Sequence, residues 1–410
     1  MHTQKKHILY ISYDGMTGFL GQSQVIPYLI ELRQYGYKFT ILSCEKKEKY
    51  KARGTYIQKL LQANDINWET LTFSESPPIL AKYYDIYLLK KKALQLHQKH
   101  QFDMTHCRSY IPADVSRFLK KKCGIKFLFD MRGFWVDERV DGGLWNLKNP
   151  FYWLAYQIYK KKEITYLNEA DYLISVSKAG KDEMKKWPNF QQTPIEMIPC
   201  CTDFNLFFLT EKYIKLQNRE NLGFDANALI ISYLGSIGTW YLLDEMLHFF
   251  AILKETYPTA QFLFISGEKA SVIYERLPNF HLKKSDVYII SANRKDVPNL
   301  LSVSDISLFF IKKGYSRIAC SPTKLGEILA MGIPAIANAE IGDVGEVLEQ
   351  TKGGIALKKL SEKSFREAIT YIPNLLAKNP ALIRKNAQKY YDLKQGAAKY
   401  AGVYKEILEK

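Results

Sequence analysis

Short runs of β-branched and aromatic residues alternate along the chain with longer stretches in which apolar residues recur at helical spacing. The short runs predict strands at 8–12, 39–43, 103–106, 127–129 and 172–175 in the first half, and at 230–234, 262–265, 287–290, 306–310 and 334–337 in the second. This alternation is typical of an α/β protein with largely parallel sheets.

Both halves follow the same plan, so we expect two doubly wound domains. The change to proline and polar residues between Ile198 and Asn205 predicts the join. The domains would be 1–200 and 201–385, with a last helix over 386–410 packing back on the first. Functional loops in such sheets follow the carboxyl ends of the strands, so we expect the site in a cleft between the domains.

Composition excludes several classes of protein. With 47% hydrophobic and 24% charged residues, the 410-residue chain is neither disordered nor collagen-like. Its longest apolar runs have strand length, which predicts no membrane-spanning helix. The start leads directly into the strand at Ile8, leaving no room for a signal peptide, so a cytoplasmic location is expected. The six cysteines lack CxxC or zinc spacing, which predicts reduced thiols and no structural metal.

The net charge of +16 indicates an anionic partner, such as phosphate, nucleic acid or an anionic membrane surface. Most of the excess lies in the first 200 residues. No recognised nucleic-acid-binding module accompanies it, so we expect no nucleic-acid partner. A steeply salt-dependent affinity for oligonucleotides would reopen that alternative.

The run from Ser321 to Pro334 carries the strongest motif. Ser321 is a good N-cap, with Pro322 and Thr323 next, and Gly332 suits the end of the helix. Lys324 and Glu327 then share one face near an exposed, positive helix start. Such a cation and carboxylate suit a nucleotide diphosphate, with Lys324 on phosphate and Glu327 on ribose. A surface Lys–Glu pair on a capped helix is the alternative.

Glycine-containing turns follow the first strand of each half. In the second half, Gly235 and Ser236 are expected to offer backbone amides to the diphosphate. In the first half, Gly15, Gly18 and Gly21, with Gln22 beside them, precede a helix predicted from Val25 to Arg33 and could approach phosphate or sugar. A dinucleotide-binding loop, supported by Glu45 alone, and a plain tight turn remain alternatives.

Charged and aromatic residues follow the strand that ends at Phe129. A loop containing Asp130, Arg132, Trp135 and Glu138 could bind sugar hydroxyls and pyranose faces, and His106 and Arg108 end an earlier strand. Acceptor binding is the functional interpretation. Salt bridges within the loop, and a structural histidine, are the alternatives.

A segment from Asn149 to Glu163 combines aromatic residues with three consecutive lysines, and further lysine runs lie at 90–92 and 120–122. This pattern fits an interfacial helix on anionic headgroups. It fits a buried amphipathic helix with a solvated lysine end equally well.

Taken in order, these segments resemble the family 4 retaining glycosyltransferases, which have the GT-B fold of two Rossmann-like domains facing each other across a cleft. The similarity covers nearly the whole chain and rests on the Gly15–Gly21 loop, Val176 to Lys178, Ile198 to Asp203, Tyr233 to Ser236 and Ser321 to Pro334. It implies metal-independent transfer of a sugar from a nucleotide diphosphate donor, UDP- or GDP-linked, without a cofactor. Growth of a glycan or lipid-linked glycan in bacterial surface polysaccharide synthesis, at the inner face of the membrane, is the expected setting.

The expected site residues fall into three groups. Lys324, Glu327 and Asp130 are expected at the reaction centre. Donor binding is assigned to Gly18, Gly21, Gln22, Gly235, Ser236, Arg294, Arg317, Ser321, Pro322 and Thr323. Acceptor binding is assigned to His106, Arg108, Arg132, Trp135 and Glu138.

Two motifs depart from the family pattern, at three positions. Glu327 matches the second Glu of the E-x7-E motif, but the first falls at Ala319, and the Arg and Lys of the G-R-x4-K loop fall at Ser236 and Tyr241. Phosphate charge would then be met by Lys324, with Arg294 or Arg317 as further candidates. Because of these departures, an alternative remains open. The protein could be a non-catalytic relative that binds a nucleotide sugar or forms a complex with another transferase.

Overall fold

The computed structural model describes residues 5–76, 78–225 and 227–409. The chain forms two compact units. The first contains Met1–Pro199 and Leu393–Lys410, and the second contains Cys200–Asp392. Each unit has its own parallel sheet with helices packed on it.

In the described residues the first unit has a seven-stranded sheet, in the order β3-β2-β1-β4-β5-β6-β7, and every neighbouring pair is parallel. Its strands are β1 (Lys6–Ser12), β2 (Tyr37–Glu45), β3 (Ile66–Thr72), β4 (Met104–Arg108), β5 (Lys126–Asp130), β6 (Tyr172–Ser175) and β7 (Ile195–Met197).

Helices connect these strands. They are α1 (Phe19–Gln24), α2 (Ile26–Leu32), α3 (Lys47–Ala63), α4 (Pro78–His100), α5 (Tyr110–Cys123), α6 (Trp135–Asp141), α7 (Pro150–Glu169) and α8 (Lys178–Met184). The predicted helix from Val25 to Arg33 thus begins earlier, at Phe19, and is interrupted at Val25, where φ is −122°.

The second unit has a six-stranded sheet in its described residues, in the order β10-β9-β8-β11-β12-β13, also with parallel neighbours. Its strands are β8 (Ile230–Leu234), β9 (Gln261–Ile265), β10 (Val287–Ile290), β11 (Ile306–Phe309), β12 (Ala335–Asn338) and β13 (Gly354–Leu357).

The helices of the second unit cover both faces of this sheet's apolar strands. They are α9 (Lys212–Asn221), α10 (Leu243–Thr256), α11 (Ala270–Tyr274), α12 (Val297–Leu301), α13 (Thr323–Ala330), α14 (Val344–Gln350), α15 (Glu362–Thr370), α16 (Ile372–Leu376) and α17 (Pro380–Tyr391). The last helix of the chain, α18 (Leu393–Glu409), belongs to the first unit.

The expected last helix over 386–410 is therefore two helices. Residues 386–391 continue α17 in the second unit, and α18 packs on α2 of the first. The buried rings of Tyr400 and Tyr404 attach α18 to that unit.

The ten predicted strands are present, and β3, β7 and β13 were not predicted. All three are edge strands. An edge strand buries less of its surface, so it lacks the continuous apolar run of a central parallel strand. Among the described residues, no helix combines the length and apolarity needed to cross a membrane.

Candidate functional site

In the second unit, the turn after β8 is stabilised by a hydrogen bond from a residue of β8 itself. The Tyr233 hydroxyl donates a 2.5 Å hydrogen bond to the carbonyl oxygen of Ser236. Gly235 has a φ of +118°, which favours glycine. Its amide donates to the carbonyl oxygen of Ile265 at 2.9 Å, so it is not available to a ligand, in contrast to the expectation. Ser236 is exposed.

Lys324 reaches this turn from the first turn of α13. Its ammonium lies 3.6 Å from the centre of the Tyr241 ring and 4.0 Å from that of Tyr233. A Cβ on Gly235 would lie 3.1 Å from the Lys324 Nζ atom. A side chain at this position would therefore press on the ammonium, and the positive φ of Gly235 also disfavours one.

The prediction of an exposed helix start is wrong for Lys324. The residue is 6% exposed, and its Nζ atom has no hydrogen-bond partner within the described residues. Burial holds the pKa of Lys324 well below its usual range, against the opposing effect of Glu327. Two aromatic faces stabilise the cation, but they do not replace an anion.

Glu327 lies one turn further along α13 and is also buried. Its carboxylate accepts a close, charged hydrogen bond from Arg294, whose guanidinium carbon lies 4.6 Å from the centre of the Phe207 ring. Burial raises the pKa of Glu327, and Arg294 opposes that shift. The structure thus pairs two residues that were predicted separately.

Arg317 contacts the same loop at Trp240. Its guanidinium carbon lies 3.8 Å from the centre of the Trp240 ring, and its carbonyl oxygen accepts from the Gly342 amide. Arg317 and Ala319 are both buried. A second cation therefore lies beside the loop that follows β8.

The start of α13 differs from the prediction. The helix begins at Thr323, and Pro322 occupies the N-cap position without a side-chain hydrogen bond. The Ser321 hydroxyl does not cap the helix, because it accepts from the Cys200 amide at 3.1 Å. The predicted end is confirmed, since Gly332 has a φ of +70° directly after the cap residue.

In the first unit, a buried carboxylate organises the turn after β1. Glu45 accepts from the amides of Met16 and Thr17 and from the Thr17 hydroxyl, at 2.6, 3.2 and 2.5 Å. A Cβ on Gly15 would lie 2.5 Å from a Glu45 oxygen. Since Glu45 binds the loop itself, it gives no support to a dinucleotide site.

Gly18, Gly21 and Gln22 lie at the start of α1. Gly18 occupies its N-cap position, and Gly21 and Gln22 are inside the helix. The Gln22 side-chain amide donates to the carbonyl oxygen of Thr17 at 3.0 Å. A Cβ on Gly21 would lie 2.4 Å from the Met16 Cα, so close backbone packing requires this glycine.

His106, the middle residue of β4, and Asp130, the last residue of β5, lie close together, so His106 does not end its strand as expected. The His106 Nε2 atom lies 3.5 Å from an Asp130 oxygen. Helix α18 supplies both residues with partners: the Tyr400 hydroxyl donates to Asp130 at 2.9 Å, and the Tyr404 hydroxyl bonds His106 Nδ1 at 2.7 Å. Both predicted residues are almost fully buried.

Charge in this cluster is balanced by two arginines. Burial alone would raise the pKa of Asp130, but Arg132, His106 and Arg108 together hold it below its usual range. Burial lowers the pKa of His106, so the imidazole is neutral at pH 7. Arg132 lies 3.7 Å from Asp130 and has a φ of +61°.

Trp135 and Glu138 lie on the short helix α6, not on a loop as predicted. Trp135 packs against the rings of Tyr110, Trp145 and Tyr159, at 5.3 to 5.9 Å between centres. Glu138 is half-buried in the first turn. Arg108 is buried and lies 3.8 Å from Asp14.

The sequence analysis missed several contributors to these clusters: Phe207, Tyr233, Trp240, Tyr241, Tyr400 and Tyr404. Tyr241 could have been identified from the sequence, because it occupies the position of the lysine in the G-R-x4-K loop. No comparable signal marks Tyr400 and Tyr404, which contact residues about 300 positions away.

No group of three or more His, Cys, Asp or Glu side chains is arranged to hold a metal ion in the described part of the chain. The six cysteines, all within that part, are free thiols.

Two family models match the chain and together cover most of its length. Residues 22–206 match the model described as Glycosyltransferase Family 4, and residues 215–390 match the one described as Glycosyl transferases group 1. No curated protein sequence matches the chain.

Solved structures of similar fold include sucrose-phosphate synthase from Thermosynechococcus elongatus, with 15% identity, a TM-score of 0.70, and 98% of this chain and 99% of that chain covered. A glycosyltransferase from Rickettsia africae has 19% identity and a TM-score of 0.71 over 100% of both chains. The Anabaena protein HepE, in complex with UDP and glucose, has 14% identity and a TM-score of 0.69 over 98% and 100%.

The strand order of each sheet, the alternation of strands with helices and the two family matches agree. This chain is therefore an enzyme of the family 4 glycosyltransferases, with the two Rossmann-like domains of the GT-B fold.

Proposed function

We propose that the enzyme transfers a sugar, with retention of anomeric configuration, from a nucleotide diphosphate donor to a glycan or lipid-linked glycan of a bacterial surface polymer. The observation that carries the donor assignment is the buried ammonium of Lys324 beside the Gly235 turn. Retention rests on the similarity to the retaining family. The HepE complex with UDP and glucose supports a UDP-sugar as donor, and a GDP-sugar is the alternative.

Departure of the nucleotide diphosphate leaves negative charge on its phosphates, while positive charge develops on the sugar. Lys324 and the first amides of α13, at Thr323 and Lys324, would stabilise that departing charge. Arg317 is the second cation near the loop after β8. No metal ion or cofactor is part of this proposal.

Glu327 would bind the donor's ribose in this proposal. A carboxylate accepts hydrogen bonds from two adjacent hydroxyls, and the Arg294 guanidinium opposes the rise that burial causes in the pKa of Glu327. Arg294 is thereby a positioning residue for Glu327. In the first unit, Asp130 and His106 are almost fully buried, so they would act on the acceptor through their neighbours, such as Arg132, and not by direct contact.

An exposed apolar surface in the first unit supports a membrane-associated acceptor. The first half of α7 leaves Phe151 81%, Trp153 50% and Leu154 53% exposed, and the lysines at 160–162 follow in its second half. Two of these lysines, Lys160 and Lys162, are paired with carboxylates. Apolar rings beside cations suit the interface of an anionic membrane. We propose that the enzyme works at the inner face of the cytoplasmic membrane.

Incubation with UDP- and GDP-sugars tests the donor assignment. We expect slow hydrolysis of one donor by the wild type and its loss in Lys324→Met, with Lys363→Met, an exposed lysine on α15, as the matched control. Nucleotide binding without turnover, even with cell-derived acceptors, would contradict the proposal and favour a non-catalytic relative. The anomeric proton of the product, seen by NMR, tests retention.

A further inference from the structure

Two cations of the first unit lie over one indole ring. The Lys82 ammonium is 4.9 Å, and the Arg139 guanidinium carbon 4.7 Å, from the centre of the Trp135 ring. Trp135 and Arg139 are four residues apart on α6, so they share a face, and Lys82 reaches them from α4. In the described chain, neither cation forms an ion pair with a carboxylate within 4 Å.

Such a pair of like charges is unfavourable without an anion. Burial, followed by the charge of Arg139, lowers the pKa of Lys82 to about 8. The pKa of Arg139 is lowered by burial, and the nearby carboxylates of Glu138 and Asp14 only partly oppose this. Partly buried cations are ordinarily paired with carboxylates. Since these two are not, the surroundings of Trp135 carry a local excess of positive charge.

Arg108 adds a third cation. It is 5% exposed, and its Nε and Nη1 atoms have no hydrogen-bond partner within the described residues. Asp14, whose side chain is 52% exposed, lies 3.8 Å from the Arg108 Nε atom, too far for a hydrogen bond. Asp14 also acts electrostatically on Arg139, so this carboxylate is near both arginines.

We propose that Lys82, Arg139 and Arg108 bind a phosphate group of the acceptor, an inference that rests on the proposed function. The three cations outnumber the Asp14 and Glu138 carboxylates beside them, which leaves a formal excess of one positive charge that an anionic phosphate would offset. Arginine forks bind phosphate through paired N–H donors, and lysine supplies a compact charge.

The surroundings of Trp135 indicate which phosphate this is. Tyr159 of α7 packs on Trp135 at 5.3 Å between ring centres, and α7 begins with the exposed Phe151, Trp153 and Leu154. An apolar chain attached to the bound phosphate could lie along this helix. The site therefore fits the phosphate of a lipid carrier better than a free phosphate.

Calorimetric titration of the full chain tests the site, with geranyl diphosphate, inorganic pyrophosphate, UDP and phosphatidylglycerol vesicles as separate probes. We expect Lys82→Met and Arg139→Met each to weaken geranyl diphosphate binding at least tenfold and to leave UDP affinity unchanged. Lys91→Met, an exposed lysine on the same helix, should change neither. Thermal unfolding shows whether each variant is folded.

Four results would overturn the proposal, and a fifth would overturn the proposed function alone. Unchanged affinity for geranyl diphosphate removes the site, and an effect on vesicles alone assigns the cations to bilayer headgroups. If the variants lose affinity for UDP alone, the cations belong to the donor site. If they lose affinity for pyrophosphate and geranyl diphosphate equally, the lipid chain has no role in binding. If the wild type binds geranyl diphosphate through Lys82 but never binds UDP, the proposed function fails and the phosphate site stands.

Discussion

The Lys324 ammonium lies 3.6 Å from the centre of the Tyr241 ring. Tyr241 stands where the related family carries a lysine in the loop after the first strand of this domain. In this chain the lysine beside that position comes from α13, and its ammonium lies against the Tyr241 ring. We infer that this contact compensates the departure at Tyr241.

Lys324→Met should lower turnover at least a hundredfold while leaving the protein folded. The methionine keeps most of the apolar stem and removes a buried cation without a hydrogen-bond partner, so the free energy of unfolding should change by less than about 1 kcal/mol or rise. Donor hydrolysis and calorimetric unfolding measure the two effects. An unchanged rate would remove Lys324 from the reaction.

Tyr241→Phe should preserve donor binding, and Tyr241→Leu should weaken it about three- to thirtyfold, because the ring face and not the hydroxyl holds the ammonium. This range corresponds to about 0.5–2 kcal/mol for a cation–π contact. Titration with the donor nucleotide compares the variants. Equal behaviour of the Phe and Leu variants would show that Tyr241 does not position the cation.

Arg294→Met should destabilise the second unit by about 3–5 kcal/mol, because it leaves the buried Glu327 carboxylate without its partner. The double variant Arg294→Met/Glu327→Met should recover most of that loss. Urea unfolding of the wild type, both single variants and the double variant gives the coupling energy. Additive effects would contradict a direct pair.

Glu163 provides a pH-dependent contribution to stability in the first unit. Its side chain is fully buried and accepts hydrogen bonds from Tyr110 and Lys160. Burial raises the pKa of Glu163 from 4.5 to about 7. The folded state therefore holds the proton more tightly, and the stability due to this group is present below pH 4.5 and is lost as the pH rises to about 7.

The Glu163→Gln variant has no titratable side chain at this position. We expect the free energy of unfolding of the variant to rise relative to that of the wild type between pH 4.5 and 7, by on the order of 1–3 kcal/mol, and to stay constant above pH 7.5. Urea unfolding at a series of pH values measures the difference. A difference independent of pH would mean that Glu163 is ionised throughout.

The central strands were predictable because they are buried on both faces and read as apolar runs, such as Ile230–Leu234. The edge strand Ile66–Thr72 was not, since only Ile66 and Trp68 are buried and polar residues stand among its other positions. Its pattern is that of a surface segment until the neighbouring strand is known.

The spacing in the sequence correctly predicted that Lys324 and Glu327 lie on one helix, but it did not predict that both side chains are buried. Lys324 is buried by Tyr233 and Tyr241, which lie some 80 to 90 positions earlier in the chain. Likewise, the partners of Asp130 and His106 come from α18 at the far end of the sequence. Contacts of this kind depend on tertiary packing, which single-sequence periodicity does not contain.

The position of α18 bears on how the protein is made. The first unit needs Tyr400 and Tyr404, yet the ribosome adds them only after the whole second unit has been synthesised. During translation, the first 199 residues are therefore synthesised before Tyr400 and Tyr404, the hydrogen-bond partners of Asp130 and His106, exist. The second unit is one continuous segment, so it can fold without later residues. A truncation before Leu393 should consequently leave an intact second unit attached to an incomplete first one.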